Sequence, residues 1–231
     1  MEKRLIVTIS LGIRSWFNDI KPYYELYAKK TNSDFIVIND NFEGDIKSRL
    51  RKFEIYKYLD KYDRILFLDD TCIINPNCPD IFELVPPELL GVTCEKPPFY
   101  NKYNLLIESL NYYEINNIDA PNNKDYIWFN SGLILFSKFH RNLFNLPENI
   151  PIKKIGSYLD QAIFNANRYK YNYPIYDLGL SYNYMGTRIS EQKPYKINDV
   201  NNIFIYHVTR AWKPSQRNKM FYIILNLIKA I

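Results

Sequence analysis

Three unbroken apolar runs near the start of the chain, separated by two helical stretches, constrain its fold more than any other feature. Leu5-Ile6-Val7-Thr8-Ile9-Ser10, Asp34-Phe35-Ile36-Val37-Ile38 and Arg64-Ile65-Leu66-Phe67-Leu68 are apolar at nearly every position, not at every second one. Alternation marks a strand with one wet face; a continuous run marks a strand covered on both faces, as in a parallel sheet. Residues 15–30 carry helical spacing, with Trp16, Ile20, Tyr23, Tyr27 and Ala28 roughly on one face. Residues 46–61 carry a second helical stripe of Leu50, Phe53, Tyr56 and Leu59. Strand, helix, strand, helix, strand predicts an α/β fold with a mixed, mostly parallel central sheet flanked by helices.

After residue 71 the pattern loosens. Proline pairs at 86–87 and 97–98 surround a short strand at 90–93. An Asn- and Tyr-rich segment, 101–125, holds a helix over 105–112. Residues 127–130 and 133–136 read as two strands around a Ser131-Gly132 break. A helix lies within 155–169, a late strand at 203–207 and an apolar helix at 220–231, expected to pack against the domain and not on a membrane. No internal repeat or low-complexity linker interrupts the 231 residues, so they read as a single domain.

Composition removes several chemistries. Seven Gly leave little room for a glycine-rich phosphate loop, and two His, His140 and His207, cannot build a multi-histidine zinc site. Three Cys without CxxC spacing argue against a disulfide framework and favour a reducing, cytoplasmic setting. No run is long enough for a signal peptide or transmembrane segment, and no Asn-x-Ser/Thr sequon occurs. The formal charge of +5 is spread along the chain, which fits a small anionic ligand better than a nucleic acid.

The third strand ends abruptly in Asp69-Asp70-Thr71. In open parallel sheets, ligands bind beyond the carboxyl ends of strands. Two adjacent carboxylates there need a positive partner, and a hard divalent cation with oxygen ligands supplies one; a turn or helix cap is the plainer explanation of the same residues. A haloacid-dehalogenase-type phosphatase is excluded, because Phe67 occupies the position of its nucleophilic Asp.

A wider window is more specific. Lys52-Phe53-Glu54 followed by Tyr62-Asp63-Arg64-Ile65-Leu66-Phe67-Leu68-Asp69-Asp70-Thr71 resembles glycosyltransferase family 8, the glycogenin- and galactosyltransferase-like enzymes of the GT-A fold. Cys78-Pro79-Asp80-Ile81-Phe82-Glu83-Leu84, Phe129-Asn130-Ser131-Gly132-Leu133, Leu159-Asp160-Gln161 and Tyr182-Asn183-Tyr184 resemble further family motifs in the family's order. His207-Val208-Thr209-Arg210-Ala211-Trp212-Lys213-Pro214 resembles its terminal HxxGxxKP. Each motif is weak alone; together they span residues 52–214.

The resemblance implies a metal-dependent glycosyltransferase using a nucleotide-diphosphate sugar, a UDP-sugar in the first instance, and retaining the anomeric configuration. It also implies a nucleotide-binding half of about 1–95 and an acceptor-side half of about 96–231. Asp69, Thr71 and His207 would ligate Mn2+ or Mg2+. Thr8, Ser10, Lys52, Asp69, Asp70, Arg210 and Lys213 would line the nucleotide and diphosphate pocket. Asn130, Asp160 and Gln161 would address the transferred sugar, with Asp160 as the base of an inverting route. The acceptor would be a glycan, protein or lipid-linked molecule. Two departures stand out: Thr71 replaces the second carboxylate of the family's DxD, and Arg210 replaces a glycine. The alternatives are a nucleotidyltransferase, for which Ser10-Leu11-Gly12-Ile13-Arg14 is a poor phosphate loop, and a catalytically silent sugar-nucleotide binding module.

Overall fold

The apolar runs form β1 (Arg4–Ile9), β2 (Ser33–Ile38) and β3 (Arg64–Leu68), with β1 central and parallel to both neighbours. This computed structural model describes residues 2–12, 14–39, 50–95, 102–113, 121, 125–148, 159–185, 199–208 and 214–230. β3 is buried at every position, as a doubly covered strand must be, whereas β2 is an edge strand and only partly buried. The sheet continues through β6 (Phe129–Ser137), β5 (Leu90–Cys94) and β7 (Ile175–Asp177), in the order β2-β1-β3-β6-β5-β7. β6 runs antiparallel to β3 and β5, and β7 is parallel to β5. The expected mixed, mostly parallel α/β sheet is present.

Successive side chains of the central strands feed two cores. Ile6, Leu66, Leu68, Leu133 and Leu135 point into one, beneath α1 (Ser15–Lys30) and the C-terminal helix Pro214–Lys229. Leu5, Val7, Ile65, Phe67, Ile134 and Phe136 point into the other, beneath 3₁₀ helices Arg51–Asp60 and Lys138–Phe144 and the helix Leu159–Lys170. A smaller cluster joins helix Tyr103–Tyr112 to Leu159–Lys170 around Trp128. Helix Leu159–Lys170 is therefore covered on two sides and buried at ten positions, Asp160 and Gln161 included.

Several local expectations change. Residues 127–136 do not make two strands. β6 is continuous, and the Ser131-Gly132 break survives as a bulge, because Val92 pairs with Ile134 while Cys94 pairs with Phe129. Two steps along β5 thus match five along β6, and the extra residues are Asn130, Ser131 and Gly132. The buried stripe of α1 is Phe17, Ile20, Tyr24, Tyr27 and Ala28; Trp16 and Tyr23 sit beside it, half-buried. The stripe read over 46–61 has a spacing of three, which is the repeat of the 3₁₀ helix it forms from Arg51; residues 46–49 lie outside the described residues. The late strand is β8 (Ile205–His207), and it is not in the central sheet. It pairs antiparallel with the short β4 (Cys72–Ile74), directly after Asp69-Asp70-Thr71.

Candidate active site

Three elements converge at the carboxyl end of β3. The strand delivers Asp69; the β6 bulge crosses beside it, with Asp69 N–H donating to the Gly132 carbonyl at 2.9 Å. The β4–β8 pair sets Cys72 opposite His207 and so brings residue 207 back to residue 69. His207 packs directly on Gly132: a Cβ there would lie 2.3 Å from His207 Cε1 and 2.9 Å from Nδ1. Glycine is needed at 132 for close approach, not for its backbone freedom.

Lys52 is the positive partner that the paired carboxylates demand. From the first 3₁₀ helix its ammonium reaches Asp69 Oδ1 at 2.9 Å, Asp160 Oδ2 at 2.8 Å and the Ser131 carbonyl at 3.2 Å, using all three donors. Ser131 Oγ also donates to Asp160 Oδ2, at 2.9 Å. Burial alone would lower the lysine, but Asp160 and Asp69 outweigh it and hold Lys52 above the usual lysine range. Burial alone would raise Asp69, but the Lys52 ammonium outweighs it and keeps the carboxyl below the usual range. The other oxygen, Asp69 Oδ2, faces His207 Nε2 at 3.5 Å.

Asp70 points elsewhere. Its carboxylate meets Arg14 Nε at 3.0 Å, and burial pushes it up to about 6 against the pull of Arg14. Ser10 lies beside Asp70, and Thr8 is fully buried two residues earlier, on β1. Both therefore belong to the strand-end neighbourhood of the acidic pair. Thr71 is partly exposed, and its carbonyl accepts from Val208 N–H at 2.9 Å. Arg210 and Lys213 lie outside the described residues.

Asn130, Asp160 and Gln161 come together. Asn130 Nδ2 lies 2.8 Å from Glu95 Oε1 and 3.5 Å from Gln161 Oε1, and Asp160 is linked to the same bulge through Ser131. Asp160 and Gln161 do not look outward from a surface helix; they are 7% and 5% exposed. Gln161 Nε2 has no hydrogen-bond partner among the described residues. Such a buried orphan donor is costly unless a ligand uses it.

Two residues at the centre were not assigned these contacts from sequence. Glu95, at the end of β5, is 3% exposed and holds Asn130. Asn183, read above only as part of a family motif, accepts at Oδ1 against His207 Nδ1 at 2.8 Å and donates from Nδ2 to Asn130 Oδ1 at 3.1 Å. The strand-end rule applied to residues 90–94 would have flagged Glu95. Nothing local marks Asn183. Among the described residues no group of three or more His, Cys, Asp or Glu gathers into a metal-binding cluster. A cleft of about 550 Å³ between the two 3₁₀ helices lies outside this group, and its cations Arg51, Lys57 and Arg141 pair with Glu54 or Asp60.

The fold has clear relatives among solved structures. A glycosyltransferase involved in glycosylation of the major capsid of PBCV-1 matches 95% of this chain and 99% of its own, with a TM-score of 0.63 at 14% identity. The galactosyltransferase LgtC, solved with donor and acceptor sugar analogues, matches 98% of this chain and 96% of its own, with a TM-score of 0.57 at 15% identity. The bifunctional glycosyltransferase WbbM matches 98% of this chain over 50% of its own, with a TM-score of 0.57 at 13% identity. No family model matches the sequence, and no curated protein is significantly similar to it. The chain thus has a GT-A-like fold of the kind these glycosyltransferases share. Among the described residues no helix is long and apolar enough to cross a membrane.

Proposed function

We propose that the chain is a metal-dependent glycosyltransferase that moves a sugar from a nucleotide-diphosphate sugar, a UDP-sugar first among them, to a hydroxyl-bearing acceptor with retention of configuration. One observation carries the reading: at the carboxyl end of β3, Asp69 Oδ2 and His207 Nε2 face each other at 3.5 Å on a glycosyltransferase fold. Two ligands of one cation with bonds of about 2.1–2.2 Å sit roughly 3–3.5 Å apart, so this pair fits Mn2+ or Mg2+. A carboxylate with an imidazole suits Mn2+ well.

Each residue then has a task. Asp69 and His207 hold the cation, with the Thr71 hydroxyl as a neutral third contact. When bound, the cation supplies electrostatic stabilisation to the leaving diphosphate. Lys52 keeps Asp69 ionised and fixes Asp160 beside the sugar subsite. Gln161 offers its unpaired Nε2 to a sugar hydroxyl, and the carboxylate of Asp160 stabilises positive charge at the anomeric carbon. Asn130 orients Gln161. Thr8, Ser10 and Asp70 flank the nucleotide, and Arg210 and Lys213 meet the diphosphate.

The test is a thermal-shift screen of nucleoside diphosphates with and without Mn2+. A stabilisation that requires both nucleotide and Mn2+ supports the reading. No Mn2+-dependent shift with any nucleoside diphosphate contradicts it. Binding without turnover of any nucleotide sugar would leave a silent binding module, and the anomer of the product decides retention.

A further inference from the structure

Glu95, Asn130, Asn183 and His207 form a row of buried side chains, 3%, 8%, 0% and 6% exposed, whose hydrogen-bond direction follows from one fixed point. That point is the Gly132 backbone N–H, which can only donate, and it donates to Asn130 Oδ1 at 2.9 Å. The Asn130 amide is thereby oriented: Oδ1 faces Gly132 and Asn183, and Nδ2 faces Glu95 Oε1. Since Asn130 Oδ1 accepts, the Asn183 atom against it must be the donor Nδ2. Asn183 therefore turns its acceptor Oδ1 toward His207 Nδ1, at 2.8 Å. An acceptor against a ring nitrogen requires the proton to be on that nitrogen.

We propose that Asn183, oriented by Asn130 and Glu95, is a positioning residue that locks the neutral His207 ring as the Nδ1–H tautomer and so leaves Nε2 as a lone pair aimed at Asp69 Oδ2. Imidazole in water prefers the proton on Nε2. Without Asn183, His207 would carry that proton and donate it to Asp69, closing the carboxylate and the ring on each other. Asn183 turns an Asp–His hydrogen bond into two facing lone pairs, an arrangement that favours a cation between them. A second partner that fixes the tautomer of a metal-binding imidazole is the usual companion of such sites. Gly132 serves the same end, since any side chain there would push the ring away from Asn183. The cation in this argument rests on the function proposed above; the tautomer does not, because it is a property of the metal-free protein.

The experiment records imidazole 15N shifts of metal-free protein at pH 8, with the His140→Asn variant assigning the two rings. The expected spectrum has His207 protonated at Nδ1 and bare at Nε2. In Asn183→Leu the proton moves to Nε2, and Mn2+ affinity, read by electron paramagnetic resonance, weakens about 10–100-fold. Asn183→Asp keeps an acceptor against Nδ1, and so retains the tautomer and most of the affinity. A wild-type His207 carrying its proton on Nε2 overturns the proposal without any variant. So does an Asn183→Leu protein with unchanged tautomer or Mn2+ affinity. Wild-type protein that binds no Mn2+ overturns the cation reading instead, and the metal-free spectrum still decides the tautomer.

Discussion

The two histidines of this chain are both buried and both flank the end of a strand, yet their surroundings use opposite nitrogens. His140 accepts at Nδ1 from the Ser137 backbone N–H at 3.2 Å, inside the capping box of the second 3₁₀ helix, and its ring lies edge-on to Tyr173. A backbone N–H can only donate, so His140 carries its proton on Nε2. His207 donates from Nδ1–H to Asn183 Oδ1 and turns Nε2 to Asp69. One imidazole is an acceptor that finishes a helix end; the other is presented to a carboxylate beside a buried lysine. On the proposed reading the difference separates a structural histidine from a metal ligand, and it comes from the partner at Nδ1, not from burial, which the two share.

The carboxylate side of that comparison breaks most severely at Lys52. Lys52→Met leaves Asp69 and Asp160 facing each other without a buried cation, and urea unfolding should show a loss of about 3–5 kcal/mol. A loss below about 1 kcal/mol would mean that solvent already screens the pair.

The structural histidine has its own signature. Burial lowers the His140 pKa to about 4 from an ordinary value of 6.5. Between those values the unfolded chain takes up a proton that the folded chain refuses, so the His140 contribution to stability falls as pH drops from about 6.5 to 4, against an opposite contribution from Asp70, whose carboxyl is raised to about 6. The span corresponds to at most about 3.5 kcal/mol. His140→Asn, whose Oδ1 can replace Nδ1 as the acceptor for Ser137, should flatten that slope in denaturant midpoints measured across the window. An unchanged slope would assign it to other groups.

Smaller effects are expected at the contact between ring and bulge. Gly132→Ala forces His207 or Asn130 to move and should cost about 1–3 kcal/mol, with weaker Mn2+ binding in isothermal titration. Mn2+ affinity equal to wild type would show that the ring position is not critical. His140→Asn should leave Mn2+ affinity unchanged, which sets the baseline for this comparison.

Much of the scaffold was legible in the sequence because β1 and β3 are covered on both faces, and burial on two faces writes itself as an unbroken apolar run. Asp69 was legible only as a charge at the end of such a run, which a turn or cap explains equally well; its buried Lys52 partner appears only in the structure. The β4–β8 pair was not, because three-residue strands leave no periodicity, and it is this pair that carries His207 to Asp69. The β6 bulge looked like a break between strands; Asn130, Ser131 and Gly132 interrupt the apolar pattern whether the chain bulges or turns. Asn183 could be seen as a motif residue but not as the partner of His207, because the contact joins residues 24 positions apart through a pairing the sequence does not display. Lys52 showed only that it could face a pocket; its three simultaneous acceptors come from three separate elements.

The most direct measurement is the release of nucleoside diphosphate from a panel of nucleotide sugars, with Mn2+ or with a chelator, by wild-type protein and by Asp69→Ala. The account predicts Mn2+-dependent release from at least one donor, lowered about 1,000-fold or more in Asp69→Ala because several kcal/mol of leaving-group stabilisation is lost. Release that persists in chelator, or that survives Asp69→Ala undiminished, would contradict it.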